Sequence, residues 1–449
     1  MALADAPPQS DSAFHSFLSK IIDVRPSEVP ALAWSWLYIF SLLSSYYIMR
    51  PIRDQMGVAG GVNNLQWLFT GTLIGMLLLN LPFSYLVKTF PRQQFISISY
   101  RFFAANILLF ALALYVATPE QTIWVGRIFF IWTSIFNLFV VSIFWQMIVD
   151  VFTSEQGKRL FGFIAAGATL GAISGSLFTV STVEHMAPGY LMVGAALMLE
   201  VAVFCVRRLS GLSAALSERP QAEQSEAPIG GTLLSGFRDA LSSSYLLNVS
   251  LFLLLYAVTS TFLYFQQAAV VSHSFESRAA QTAFFASVDL GVNALTLVVQ
   301  LFLTGRILKR FGVGPTLSLL PLFSVIGFGA LALVPTLASV VGFQLIRRAG
   351  NFAIARPTRE VLFTVLPRED RYKAKSFIDT AVYRLGDQLG AWSFALLAGW
   401  GLTQVSLIAA AISGGWLVNS LWLGRRQDIL AEQQESKIEG SLGVDSSNA

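Results

Sequence analysis

The amino-acid sequence predicts an all-α membrane protein with twelve transmembrane helices arranged as two six-helix bundles. Three observations lead to this fold class: the composition, a regular series of apolar runs, and basic residues concentrated on one side of the predicted helices. Hydrophobic residues make up 54% of the 449 residues and charged residues only 12%, about half the charged fraction of an ordinary soluble domain. Polar side chains are therefore too few to cover the surface of a soluble globule.

Each predicted helix is a run of about 20 mainly apolar residues, the length that a helix needs to cross the hydrocarbon core. Six runs precede a long polar stretch and six follow it. The runs cover residues 30–50, 65–87, 94–117, 122–150, 160–182, 187–207, 244–266, 281–305, 313–335, 338–366, 374–399 and 402–424. The fifth run carries Gly162, Gly167, Gly171 and Gly175, a spacing typical of a small-residue face that packs closely against another helix.

Lysine and arginine decide the orientation, because cytoplasmic loops keep basic residues and translocated loops avoid them. With the N-terminus inside, twenty basic residues fall on the cytoplasmic side and two, Arg53 and Arg278, fall on the other side. This asymmetry predicts a multi-pass protein of the cell inner membrane with both termini in the cytoplasm. It also accounts for most of the basic residues behind the net charge of +4, so a nucleic-acid partner is not expected.

The polar stretch between helices 6 and 7 divides the chain and is typical of a linker. The predicted organisation is a cytoplasmic N-terminal tail at 1–29, a six-helix bundle at 30–209, a cytoplasmic linker at 210–243, a second six-helix bundle at 244–424 and a cytoplasmic C-terminal tail at 425–449. A shift of the first half by 214 residues aligns Asn137 with Asn351 and Glu155 with Glu369. Such a constant offset fits a parallel six-plus-six repeat.

Eight arginines lie within or at the ends of the predicted spans. A charge at the bilayer centre costs about 2.5 kcal/mol or more unless it faces water or a partner, so these side chains are expected to point inward. For Arg50 and Arg101 a structural alternative is open, because an arginine near a helix end can snorkel to the membrane interface. On helix 10, Arg347, Arg348 and Asn351 form a polar stripe that begins near the membrane midplane. Guanidinium groups suit carboxylate and phosphate, so the stripe predicts a cavity for an anion. The candidate substrate-binding residues are Arg50, Arg53, Arg127, Asn137, Tyr256, Tyr264, Arg347, Arg348 and Asn351.

Acidic residues in the predicted spans leave an alternative open. Asp289 on helix 8 and Asp379 and Asp387 on helix 11 either neutralise the arginines and hold the bundle together or, in the case of Asp289, take up a proton during transport. Enzymatic and metal chemistry has little support, because the three histidines fall in tails or loops and no Cys, His or carboxylate cluster has metal-ligand spacing. We expect neither enzyme activity nor a cofactor.

Two sets of motifs resemble known transporter families. The segment Gly305-Arg306-Ile307-Leu308-Lys309-Arg310-Phe311-Gly312 resembles the cytoplasmic signature of the major facilitator superfamily, with Lys309 in place of an acidic residue. Further segments resemble the ATP/ADP translocases, the nucleotide exchangers of plastids and intracellular bacteria. They are Tyr47-Ile48-Met49-Arg50-Pro51-Ile52-Arg53-Asp54, the residues Phe144-Trp145, Lys158-Arg159 and Gly167-Ala168, and Pro357-Thr358-Arg359-Glu360 followed by Lys373-Ala374-Lys375, Ile378-Asp379 and Arg384.

This resemblance implies the major facilitator fold and alternating access, in which two bundles rock about a central site. Two departures from the translocases bear on the substrate: Arg53 stands in place of a functional lysine, and residues 122–149 contain no acid where the translocases have one. The candidate coupling or gating residues are the charged motif residues together with the helix 8 acid, namely Asp54, Asp289, Arg359, Glu360, Lys373, Lys375, Asp379 and Arg384.

The sequence therefore predicts a monomeric secondary active transporter in the lipid bilayer that moves an organic anion, with a nucleotide or another phosphate-bearing solute as one candidate. Two alternatives stay open: a proton-coupled carrier of a different small solute, and a non-transporting membrane partner or sensor. The sensor is favoured if acids neutralise all of the arginines in the cavity.

Overall fold

The computed structural model describes residues 23–216, 243–366, 374–375 and 377–445. The predicted linker and N-terminal tail fall largely outside these ranges, as does the gating candidate Lys373, whereas most of the predicted C-terminal tail lies inside them. The described chain forms long helices joined by short connections and contains no strand. This arrangement agrees with the all-α class predicted from the sequence.

Twelve long helices, here α1 to α12, follow one another in the described residues. Three of them, α8, α10 and α11, contain a short π-helical turn. The helices are α1 (Val29–Ala59), α2 (Leu65–Thr89), α3 (Arg92–Val116), α4 (Pro119–Val151), α5 (Ser154–Thr182), α6 (Pro188–Leu216), α7 (Ser244–Ser274), α8 (Arg278–Val299, Gln300–Thr304 and Gly305–Phe311), α9 (Val313–Leu333), α10 (Leu337–Gly350, Asn351–Ala355 and Arg356–Leu362), α11 (Ile378–Val382 and Tyr383–Leu397) and α12 (Leu402–Asp445).

Ten of these helices are long and apolar enough to cross a membrane. The other two, α10 and α11, carry the charged residues Arg347, Arg348, Arg359, Asp379 and Asp387, which lower the hydropathy of their segments. Partners inside the protein must offset the cost of these charges, and the site described below supplies them.

Two helix ends differ from the sequence expectation. Helix α1 does not end near residue 50 but continues to Ala59, with Pro51 inside it. Met56 and Val58 beyond this proline are buried, and their packing supports the extra turns. Arg53 and Asp54 therefore lie within a helix and not in a loop. Helix α12 runs on to Asp445, well past the predicted end of its span at residue 424.

Polar residues fix the start of several helices. Thr118 accepts a hydrogen bond from the backbone N–H of Gln121 at the start of α4, and Thr153 accepts one from Gln156 at the start of α5. In both cases the glutamine side chain bonds back to the backbone of the threonine. These reciprocal pairs satisfy donors that the first helical turn cannot use.

The chain packs into two compact units. The N-terminal unit comprises Met1–Ile52, Met76–Val125 and Trp132–Gln221, and the C-terminal unit comprises Arg53–Gly75, Gly126–Ile131 and Ala222–Ala449. The division differs from a simple split at the linker, because one end of α1, one end of α2 and a turn of α4 belong to the C-terminal unit.

Glycines bring α5 against α1 in the N-terminal unit. A Cβ atom added at Gly171 would lie 2.3 Å from the backbone oxygen of Phe40, and one added at Gly175 would lie 2.5 Å from that of Ser44. Gly167 faces Trp36 in the same way, whereas a Cβ at Gly162 would meet nothing within 4 Å. Three of the four glycines of the predicted small-residue face therefore permit close backbone contact.

Small residues also set the spacing of α7, α9, α11 and α12 in the C-terminal unit. A Cβ added at Gly386 of α11 would lie 2.6 Å from the Cβ of Ala257 on α7, and one added at Gly424 of α12 would lie 2.1 Å from the Cα of Gly314 on α9. These close approaches hold α11 against α7 and α12 against α9, the helices around the candidate site.

Candidate substrate site

Arg347 lies at the centre of the polar groups in the C-terminal unit. It is a buried arginine on α10, with 1% of its surface exposed. Its guanidinium Nε donates to Ser324 Oγ at 3.1 Å, and its Nη1 donates to Ser260 Oγ at 3.0 Å. Its Nη2 donates to Thr259 Oγ1 at 2.7 Å and to the backbone oxygen of Tyr256 at 3.2 Å. All four acceptors are neutral.

Aromatic rings complete the surroundings of Arg347. The guanidinium carbon lies 5.2 Å from the ring centre of Tyr256 and 6.0 Å from that of Trp416 on α12. The rings of Tyr256 and Tyr383 lie 6.4 Å apart. Such rings attract a cation through their negative faces, so helices α7, α9, α10 and α12 together hold a positive charge without a carboxylate among the described residues.

Arg348, the next residue on α10, has a different environment. Its Nη2 lies 2.7 Å from Oδ1 of Asp289 on α8, and their side chains are 15% and 2% exposed. Asn293 on the same face of α8 donates to the backbone oxygen of Asp289 at 2.8 Å. Asp289 and Arg348 therefore form an ion pair in this structure.

Arg53 and Asp54 form a second buried ion pair, near the end of α1. Arg53 Nη2 lies 2.6 Å from Asp54 Oδ1, and the Tyr264 hydroxyl on α7 donates to the same oxygen at 3.0 Å. The Arg53 guanidinium carbon stacks 4.6 Å from the ring centre of Phe130. All of these residues belong to the C-terminal unit, so this pair joins the end of α1 to α7.

The charged residues of the Pro357-Thr358-Arg359-Glu360 motif pair with those of the downstream motif. Arg359 Nη2 lies 2.8 Å from Asp379 Oδ1, and Lys375 Nζ contacts Glu360 Oε2. These two ion pairs fasten the end of α10 to the start of α11. A third pair lies within α11, where Arg384 Nη1 is 3.1 Å from Asp387 Oδ2.

The family model described as Major Facilitator Superfamily matches residues 31–387, which is most of the chain. The protein belongs to the Major Facilitator Superfamily. Its fold and its role as a multi-pass membrane transporter follow from this membership.

Solved transporter structures share this superfamily fold with the chain. A bacterial homologue of the iron transporter ferroportin matches with a TM-score of 0.62 at 12% identity, covering 88% of this chain and 98% of its own. The xylose transporter XylE from E. coli gives 0.57 at 13%, covering 88% and 94%. The nucleoside transporter NupG gives 0.54 at 14%, covering 89% and 99%. At such low identities the likeness concerns the fold, and none of these comparisons assigns a substrate or the ATP/ADP translocase branch.

A comparison with curated proteins finds no match. Among the described residues, no group of three or more His, Cys, Asp or Glu side chains is arranged to hold a metal ion.

The remaining substrate candidates of this superfamily member are Arg127, Arg50, Asn137 and Asn351. Arg127 donates to the backbone oxygen of Gly60 at 3.2 Å in the C-terminal unit. Arg50 stacks 5.5 Å from the ring centre of Tyr47, and Arg50 and Asn137 belong to the N-terminal unit. Asn351 is the first residue of the π turn in α10. Within the C-terminal unit, the structure places Arg347 beside Tyr256 and joins Arg53 to Tyr264 through Asp54.

Sequence reasoning missed three residues that contact Arg347: Thr259, Ser324 and Trp416. The two hydroxyl residues lie in apolar helices and also bond to their own helix backbones, which is the usual role of such residues in a membrane. A tryptophan inside an apolar run is equally easy to interpret as a residue that only fills space in the packed core. A single polar residue becomes informative only when the facing helix is known.

Proposed function

We propose that this transporter moves an organic anion by alternating access and that Arg347 is its principal anion-binding residue. The observation that carries the proposal is the neutral environment of Arg347. Its four hydrogen bonds go to three hydroxyl groups and one backbone carbonyl, so a substrate anion can supply the counter-charge that the neighbouring side chains do not.

The free energy needed to release an arginine from its present partners, so that it can bind an anion, is lower for Arg347 than for Arg348. Freeing an arginine from a buried carboxylate leaves an uncompensated charge and costs about 3–5 kcal/mol. Freeing one from a neutral hydroxyl costs about 1 kcal/mol for each hydrogen bond. An anion that replaces hydroxyl partners of Arg347 therefore meets a smaller penalty than one that must displace Asp289 from Arg348.

The distribution of acids supports the same choice. Five acids lie on the membrane helices that contribute the ion pairs of the C-terminal unit, and each pairs with a base other than Arg347. They are Asp54, Asp289, Glu360, Asp379 and Asp387. A sensor whose arginines are all neutralised by acids is accordingly the weaker interpretation.

A nucleotide is the finer candidate for the anion. It rests on the resemblance of Pro357-Thr358-Arg359-Glu360 and the downstream residues to the ATP/ADP translocases, and on the aromatic residues Tyr256, Tyr383 and Trp416 near Arg347. Aromatic faces provide stacking surfaces for a base, and arginine suits its phosphates. Arg53 stands where the translocases have a functional lysine, and this departure bears on the substrate. Other phosphate-bearing solutes should therefore be tested together with the nucleotides.

The decisive experiment is counterflow in proteoliposomes preloaded with ATP, ADP, phosphate or glucose 6-phosphate, with adenosine and glucose as neutral comparisons. We expect exchange of an anion and not of its neutral counterpart. Arg347→Ala should reduce anion kcat/KM by about 100-fold or more, because it removes a buried charged donor. Arg347→Lys should have an intermediate effect, since it keeps the charge but loses the planar fork.

Arg101→Ala is the matched control. Arg101 pairs with Glu200 on the exposed surface of the N-terminal unit. Its replacement by alanine should leave transport unchanged. All variants must elute as monodisperse protein with similar unfolding temperatures. Unimpaired anion exchange by folded Arg347→Ala, or exchange of neutral solutes only by the wild type, would contradict the proposal.

Proton coupling through Asp289 is a second candidate property of the carrier. The observation that favours it is a carboxylate that is 2% exposed and pairs with Arg348 inside the C-terminal unit. Protonation of such an acid releases its arginine, so proton binding and helix rearrangement are linked. Asp289→Asn should then abolish uptake driven by a pH gradient while sparing counterflow, and equal loss of both would assign Asp289 a structural role.

A further inference from the structure

Two buried polar atoms on α12 lie beside the Arg347 site. Trp416 has 0% of its surface exposed, and its indole Nε1–H finds no acceptor among the described residues. Asn419, three residues further along α12, is also buried. Its Nδ2 donates to the backbone oxygen of Asn248 at 3.0 Å, but its Oδ1 finds no donor in the described part of the chain. Buried polar atoms nearly always have a partner, so these two atoms require a ligand group or an ordered water.

Aromatic contacts connect these atoms to the proposed anion site. The Trp416 ring lies 5.2 Å from the ring of Phe252 and 5.9 Å from that of Tyr256 on α7. The Arg347 guanidinium carbon lies 6.0 Å from the centre of the Trp416 ring. A small solute held by Arg347 is therefore within reach of the indole.

The two atoms need opposite kinds of hydrogen-bonding partner. The indole N–H can only donate, and the amide oxygen can only accept. Residues three apart on a helix are neighbours on its surface, so one solute can contact both side chains. A hydroxyl group both accepts and donates, whereas a carboxylate or an ionised phosphate oxygen only accepts.

We propose that the substrate is an organic anion that also carries a hydroxyl group, and that Trp416 and Asn419 recognise this hydroxyl. The solute class is thus hydroxy acids and hydroxylated phosphate esters. The inference rests on the proposed anion site at Arg347 and adds a specificity requirement to it. Arg347 binds the charged group, and the indole N–H and the amide oxygen bind the hydroxyl.

Matched pairs of small anions test the hydroxyl requirement on the purified full-length protein. Glycerol 3-phosphate is compared with propyl phosphate, and malate with succinate, by the ligand-induced rise in unfolding temperature. We expect the hydroxylated member of at least one pair to bind the wild type about tenfold or more tightly, since sites that hydrogen-bond a hydroxyl discriminate against analogues that lack it.

Three variants assign the discrimination to residues. Trp416→Phe keeps an aromatic ring but removes the N–H, and Asn419→Leu removes the acceptor. Each should reduce the preference for the hydroxylated anion to less than about twofold while the deoxy anion still binds. Trp422→Phe, at an exposed tryptophan on the same helix, should preserve the preference. Arg347→Ala should weaken both members of each pair.

The outcomes separate this inference from the proposed function. Equal binding of both members of each pair by the wild type would mean that Trp416 and Asn419 hold only a buried water, and it would overturn the hydroxyl requirement alone. An undiminished preference in Trp416→Phe and Asn419→Leu would do the same. If none of the four anions stabilises the wild type, the anion site itself fails. Should one variant not fold, the wild-type comparison and the other variant still decide.

Discussion

The α1–α5 contact in the N-terminal unit and the α8–α10 contact in the C-terminal unit are built in opposite ways. Helix α5 presents Gly167, Gly171 and Gly175 to the backbone of α1. Helix α8 presents polar groups to α10: Asp289 pairs with Arg348, Gln300 Nε2 donates to the Phe352 oxygen at 3.3 Å and Thr304 Oγ1 donates to the Ala353 oxygen at 2.7 Å. The first contact is held by close packing and the second by specific polar pairs.

This difference indicates which contact can change during transport. A glycine face that fits backbone atoms has one good arrangement, because packed interfaces are not continuously deformable. Polar pairs can exchange partners at a modest cost, provided that each buried group finds another partner. In this molecule the exchangeable contacts surround the π turns of α8 and α10, and π turns are frequent at functional sites. The C-terminal unit thus holds the elements suited to switching.

The largest effect is expected from breaking the ion pair of the α8–α10 contact. Asp289→Ala leaves the Arg348 charge buried and should lower the free energy of unfolding by about 3–5 kcal/mol. The double variant Asp289→Ala/Arg348→Ala should recover part of this loss, because no charge remains without its partner. The measurement is thermal or denaturant unfolding in detergent for the wild type, both single variants and the double variant.

The partly exposed pair Lys375–Glu360, beside the connection between α10 and α11, is the control for this cycle. Its side chains are 37% and 43% exposed, so its coupling free energy should be about 1 kcal/mol or less. Equal coupling free energies in the two cycles would remove the distinction between a charged α8–α10 contact and the rest of the molecule.

The sequence predicted the fold better than the site for a physical reason. Hydropathy is a local property of the sequence, so the twelve apolar runs were sufficient to predict the number and approximate positions of the helices. The sequence analysis placed Arg53 and Asp54 beyond the end of helix 1, because two adjacent charges usually mark the point where a helix leaves the membrane. Their partners Phe130 and Tyr264, which allow them to lie inside the protein, are distant in sequence. The partners of Arg347 and Arg348 depend on the rotation of α8, α9 and α12 about their axes, which composition does not specify.

Gly171→Ala should have the second-largest effect and tests the glycine face of α5. Alanine is a better helix former than glycine by about 1 kcal/mol, so any loss of stability must come from a steric clash between the added methyl group and α1. The added Cβ would lie 2.3 Å from the backbone oxygen of Phe40, which cannot rotate away as a side chain could. We expect a net loss of about 1–3 kcal/mol in the free energy of unfolding.

Gly162→Ala on the same helix is the control, since its Cβ would meet nothing within 4 Å. It should leave the protein as stable as the wild type or slightly more stable. If Gly171→Ala were neutral and Gly162→Ala destabilising, the α1–α5 contact would not depend on close backbone approach.

The smallest effect is expected at the π turns. Pro357 has no N–H to give to the carbonyl four residues before it, that of Ala353, and Thr304 donates to that oxygen at 2.7 Å. Thr304→Val keeps the shape of the side chain and removes the donor, which should cost about 1 kcal/mol. Thr282→Val, which removes only a bond to the backbone of its own helix, should cost less. Hydrogen exchange should also accelerate in the α10 segment Asn351–Ala355 for Thr304→Val alone, since the hydroxyl links the two π turns. Unchanged exchange there, with stability equal to that of Thr282→Val, would mean that the α8–α10 contact is held by its ion pair without help from the π turns.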